Sequence, residues 1–121
     1  MVLVWSVKGR KMNTENVGSV RVANSIIRQL VAEAAKKTDG VYKVHGYEKN
    51  LLDNKGRRAI QTHFTDEESY IEVYIVVDEG FNVIQTAENV QKAIAEELSS
   101  MLRIESNDIH VIVTSIHYNF Q

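Results

Sequence analysis

Four histidines, His45, His63, His110 and His117, are the side chains of this chain with ordinary acid–base chemistry near neutral pH. His63 stands close to Asp66, Glu67 and Glu68. With convergent geometry, that grouping would suit a general base or a divalent metal ion. Spacing alone does not make the groups converge, and strand histidines beside solvated turn carboxylates give the same string, which is the reading we expect. Asp78-Glu79-Gly80 lies just before a helical pattern and could hold a cation. The same carboxylates simply favour the positive end of a helix, and they repel phosphate, for which a single glycine offers little backbone approach. No nucleophile stands paired with a base, so the expectation is no catalytic, cofactor-binding or metal-binding residue and no enzyme.

A different constellation points to recognition. Tyr70 and Tyr74 are four residues apart with Glu72 between them, in a stretch that alternates as a strand does. Ile71, Val73, Ile75 and Val77 then share one face, while Tyr70, Glu72, Tyr74 and Val76 share the other. His110 stands off the core stripe of a later strand in the same way. These four, Tyr70, Glu72, Tyr74 and His110, are the candidate partner-binding residues. An aromatic sheet face can also stack bases, but an RNA-reading sheet wants basic, glycine-containing strands, and Glu72 opposes that. The chain also has no Gly-x-x-Gly loop of the kind that clamps nucleotides.

The elements that must position these residues are legible from periodicity. Gly18 to Val22 reads as a short first strand leading to Asn24 as a helix cap. Ile26, Ile27, Leu30, Val31, Ala34 and Ala35 form a helical stripe, Lys36 and Lys37 sit where the helix dipole favours cations, and Thr38-Asp39-Gly40 stops the helix. Val41 to Gly46 reads as a strand, residues 47 to 57 as a loop or hairpin, and Ala59 to Phe64 as another strand before the long one. Gly80 ends the long strand, and Asn82 can cap a second helix with Gln85 as its capping-box partner. The stripe of that helix is Val83, Ala87, Val90, Ile94, Leu98 and Met101. Ile109, Val111 and Val113 close the chain as a strand, with His110, Ile112 and Thr114 on its other face. The fold expected is α+β, a two-layer sandwich with a mainly antiparallel sheet and two helices on one face, in the order β-α-β-β(-β)-α-β.

Composition agrees with one such unit. A chain of 121 residues can build one adequate core. The domain is placed at residues 18–118, with 1–17 an extension of uncertain origin and 119–121 a tail. Fourteen basic against 16 acidic side chains, net −2, supply no positive field for nucleic acid. The absence of cysteine excludes disulfide and thiolate chemistry and suits a reducing, cytoplasmic compartment. In residues 1 to 11 the apolar run precedes Lys8, Arg10 and Lys11, the reverse of a secretory signal, and it falls well short of the ~20 residues of a membrane span. An edge strand, a leader or a start upstream of Met12 is expected there. A weak interfacial anchor built on Trp5 is the rival reading.

In order and spacing, Gly18-Ser-Val-Arg-Val, Ile26-Ile27 through Ala34-Ala35, Gly40-Val41, Ile71 to Val77 followed by Gly80, Asn89-Val90-Gln91 and the Ile109 to Ile116 strand resemble the alkaline shock protein family, also called Gls-type general stress proteins. The resemblance covers about residues 18 to 118. It implies a small cytoplasmic protein of mainly Gram-positive bacteria, tied to envelope stress and in some members held at the membrane by a separate anchoring protein. It implies no catalytic residues. The 47 to 57 region departs from the family, in which many members have a longer, glycine-rich segment. The expected function is a non-enzymatic adaptor or scaffold that binds a protein partner, such as a membrane-anchoring protein, or self-associates as a homo-oligomer. An RNA-associated or regulatory module is the alternative, and a metal-assisted enzyme on His63 a distant third.

Overall fold

A computed structural model describes residues 2–4, 22–53, 56–65, 69–105 and 108–119. The expected first strand lies outside these residues but for Val22. So do Trp5 with Lys8 to Lys11 and the turn carboxylates Asp66 to Glu68.

Helix α1 (Asn24–Lys37) buries Ile27, Val31, Ala32, Ala34 and Ala35. Two expectations are corrected here. Asn24 is not the cap: Ala23 holds that position in extended conformation without a side-chain bond, because its carbonyl already accepts from the Ile26 and Ile27 amides at 3.0 and 3.3 Å. Ile26 is 51% exposed, since the stripe facing the sheet runs through its neighbour Ile27. The helix stops at Thr38, and Gly40 follows at φ 93°, a backbone conformation that glycine adopts without strain. A Cβ at Gly40 would lie 2.8 Å from the Phe81 ring.

Strand β2 (Val41–Val44) leads into a small hairpin of β3 (Tyr47–Glu48) and β4 (Leu51–Leu52). Lys49 and Asn50, at φ 52° and 64°, make its two-residue turn, the pairing of positive φ values that matches strand twist. Strand β5 (Gln61–Phe64) then pairs with the first half of the long β6 (Ser69–Asp78). Helix α2 (Val83–Leu102) is capped by Asn82, whose side chain accepts from the Gln85 amide at 2.8 Å. The capping box is half-formed: Gln85 turns its own side chain to Asn89 instead. Val90, Ile94 and Leu98 are fully buried, but Met101 is 60% exposed. The four-residue step from Leu98 lands on Leu102, which packs against the core in its place.

Strand β7 (Asp108–His117) closes the sheet, and β1 (Val2–Val4) flanks it on the outside. Among the described residues the order is β1-β7-β6-β2-β3-β4, with β5 beside the first half of β6. The pairing is antiparallel except between β6 and β7, which run parallel because α2 carries the chain back across the sheet. The sheet is mainly antiparallel, with a parallel pair at its centre. One core cluster joins Ile71, Val73, Ile75, Val77, Ile109 and Val111 to the stripes of both helices. Both helices therefore cover the same face, and among the described residues the other face of β6 and β7 carries none.

Candidate functional site: the helix-free sheet face

Alternation along β6 sends Tyr70, Glu72, Tyr74, Val76 and Asp78 to the helix-free face. Register extends that face sideways: His63 of β5 stands opposite Tyr70, and on β7 His110 stands opposite Glu72, Ile112 opposite Tyr74 and His117 opposite Asp78. The amide of His45, just beyond β2, donates to the Tyr74 carbonyl at 2.9 Å, which continues the pairing of β2 with β6. All four histidines thus share one face of the sheet.

At its centre is a hydrogen-bonded triad. The Tyr70 and Tyr74 hydroxyls both donate to Glu72, one to each carboxylate oxygen, at 2.5 Å each. Charge-assisted bonds of this kind are the strong ones. They act on both partners: donation from Tyr70 and then Tyr74 holds the Glu72 carboxyl below the usual carboxylate range, against the opposing effect of burial. Donating to Glu72 pushes the Tyr70 phenol up to about 12, with burial adding to the rise, and Tyr74 moves the same way for the same first cause. The imidazole of His110 lies across Tyr70, ring centroids 4.8 Å apart and tilted by 40°.

Two histidine–carboxylate pairs flank the triad. His110 Nε2 and Asp108 Oδ1 lie 2.7 Å apart, yet off the line of a hydrogen bond, and neither atom finds another hydrogen-bond partner. Their attraction is therefore ionic and depends on a protonated ring. At the other end, His117 Nδ1 lies 3.3 Å from Asp78 Oδ1, and its ring stacks on Tyr42 at 3.7 Å and 4°. Between the ends, a single extra residue in β7, Thr114, shifts the register. Its hydroxyl donates to the Ile75 carbonyl at 3.2 Å, so it must accept from His45 Nε2 at 2.8 Å. That assigns the proton to Nε2. Burial, then Lys43 and Arg58, lowers the His45 pKa, so this ring is held neutral.

The four residues singled out from the sequence, Tyr70, Glu72, Tyr74 and His110, are brought together. Sequence reasoning named His45 and His117 only as ordinary strand histidines, without placing them on this face, and missed Tyr42; the three come from segments distant from β6 in the chain. The even parity of residue 110 was legible, but that of 117 was not, since the Thr114 bulge resets the alternation. His63 is exposed on this face, and the carboxylates considered with it lie outside the described residues. Among the described residues no cluster of three or more histidines and acids could hold a metal ion, and no helix is long and apolar enough to cross a membrane.

Comparison with known proteins places this geometry in a family. The profile of the ASP23 (alkaline shock) family, described by a cell envelope-related function, matches residues 12–118. The chain belongs to that family. A relative in Bacillus subtilis, the uncharacterised protein YqhY, is 26% identical over 116 residues, covering 90% of this chain and 86% of that protein. Among solved structures, the MamM CTD spanning 215–293 is 22% identical with a TM-score of 0.52, covering 77% of this chain and 99% of that one. A copper form of a MamM CTD variant matches with the same identity and TM-score over 98% of its own length. At this identity the likeness is one of fold, and it fits the α+β architecture found for this alkaline shock family member.

Proposed function

We propose that this protein is a non-enzymatic adaptor serving a cell envelope-related function in the cytoplasm, docking a protein partner on the helix-free sheet face. The observation that carries the proposal is the Tyr70–Glu72–Tyr74 triad. Catalytic acids and bases work best with pKa values near the operating pH. Here the two kinds of group move apart: Glu72 goes down, which makes it a poor base, and Tyr70 goes up to about 12, which makes it a poor acid. Both carboxylate oxygens are already occupied by phenols. What such a network does supply is two aromatic side chains held in fixed orientation, the kind of group that dominates protein interfaces.

The partner is a protein, such as one that anchors the adaptor at the membrane. A Tyr70→Ala, Tyr74→Ala double variant tests this in co-purification from native cells. We expect partner recovery to fall about tenfold or more, the loss of one hot-spot residue or two. Circular dichroism and a thermal melt confirm that the variant is folded. A folded double variant that keeps every wild-type contact would sink the proposal.

A further inference from the structure

We infer that the end of the helix-free face built by Tyr42, Asp78 and His117 is a seat for an arginine side chain of the docked partner. The inference deepens the docking reading above, rests on it, and names the group that the partner supplies.

Two bulges build this end of the face. Strand β7 carries its extra residue at Thr114, and β2 carries another at Tyr42, between Val41 opposite Val77 and Lys43 opposite Val76. A bulge re-aims the side chains beside it, and these two bring one ring from each strand flanking β6 together. The Tyr42 and His117 rings lie face to face, 3.7 Å apart and 4° from parallel. Asp78, the last residue of β6, stands opposite His117 in the same row.

The histidine–carboxylate pair presents acceptors. An ionised Asp78 can only accept, so His117 donates from Nδ1 to Oδ1 at 3.3 Å, and in the neutral ring Nε2 is left as an acceptor. Among the described residues neither Nε2 nor the second carboxylate oxygen of Asp78 has a hydrogen-bond partner. The nearby cations are engaged elsewhere: Lys36 Nζ donates to the Tyr42 carbonyl at 2.7 Å, and Lys43 Nζ lies 3.5 Å from Glu48.

These groups are open to a partner. Tyr42 is 44% exposed, and the His117 and Asp78 side chains are 31% and 35% exposed. The pair at the other end of the face differs in this respect, since the atoms by which His110 and Asp108 approach each other are both buried.

Arginine answers all of these features. Its planar guanidinium stacks on an aromatic face, forks to a carboxylate, carries five donors and no acceptor, and sheds water more readily than an ammonium. Laid parallel to the Tyr42–His117 stack, it extends the stack by one layer and turns an N–H edge to Asp78. A lysine brings the charge without the stack or the fork. An acidic or phosphorylated segment would be repelled by Asp78 and by Glu79, the next residue in the chain. Arginine is also among the residues that dominate protein interfaces.

Titration of the isotope-labelled full chain with N-acetyl-arginine amide, followed by NMR, tests the seat without the partner. We expect saturable shifts at Tyr42, Asp78 and His117 with a dissociation constant of about 10 mM, as suits a single side chain. N-acetyl-lysine amide should bind about threefold more weakly or worse, and the neutral isostere N-acetyl-citrulline amide should leave the three residues unmoved. Asp78→Asn and Tyr42→Leu should each abolish the arginine shifts. In co-purification from native cells each should lower partner recovery about tenfold, with circular dichroism confirming the fold. Arginine shifts no stronger than those of lysine or citrulline, shifts that miss these three residues, or full partner recovery by either folded variant would each overturn the inference. In those cases loss of the partner by the Tyr70→Ala, Tyr74→Ala variant still supports the docking reading. Retention of the partner by that variant removes the docking reading and the inference with it.

Discussion

The two faces of β6 are made by one run of ten residues, yet they obey different physics. On the helix side Ile71, Val73, Ile75 and Val77 are each 0% exposed and carry no titratable group. On the other side Tyr70, Glu72, Tyr74 and Asp78 are partly exposed and hydrogen-bonded or ion-paired. A strand can thus separate folding from recognition by parity alone. Changes at Ile71, Val73, Ile75 and Val77 act on stability through packing, and changes at Tyr70, Glu72, Tyr74 and Asp78 act through charge and hydrogen bonding.

That separation can be broken most severely from the odd side. Ile75→Ala leaves a cavity under both helices and should cost about 2–5 kcal/mol in urea unfolding, with the pH dependence of stability unchanged. On the even side, Tyr70→Phe with Tyr74→Phe keeps both rings but strips Glu72 of its donors. It should cost about 1–3 kcal/mol and raise the Glu72 pKa toward the ordinary value of 4.5, read by NMR titration of its carboxyl carbon. If the double Phe variant were as costly as the cavity, or left the Glu72 titration unmoved, the two faces would not be separable in this way. Away from both faces, Asn82→Ala removes the α2 cap and should cost about 1 kcal/mol in the same unfolding measurement.

The smallest effects are those of pH on the intact triad, and their signs are fixed. Glu72 titrates lower in the folded chain than in the unfolded one. Its contribution is therefore present above pH 4.5 and is lost as pH falls through the lower folded value. Tyr70 titrates higher when folded, so its contribution is complete below pH 10.0 and is lost as pH rises toward 12. Thermal melts across pH should show a plateau between these limits, and in the double Phe variant both flanks should flatten. Equal flanks in the two proteins would mean that the triad does not set them.

The family likeness rests on order and spacing, and the profile match over residues 12–118 agrees with it. The candidate face was half-legible. Tyr70, Glu72, Tyr74 and His110 followed from parity on two strands, which is local information. Tyr42, His45 and His117 did not, because their place depends on which strands become neighbours and on a bulge at Thr114. Errors at Ile26 and Met101 have a related cause. Helical periodicity marks a broad apolar stripe, and only the facing sheet decides that Ile27 and Leu102 are the residues taken inside.

Local pattern was therefore enough for the two helices, the long strand and the closing strand, for the inward side of β6 and for the cap at Asn82. Those properties depend on residues within about one turn or one pleat of each other. It took the packed molecule to settle that β6 and β7 run parallel, that among the described residues both helices leave one face bare and that four histidines from three segments gather on it. Contacts between residues far apart in the chain are set by the crossover of α2 and the register of whole strands, which no local pattern encodes.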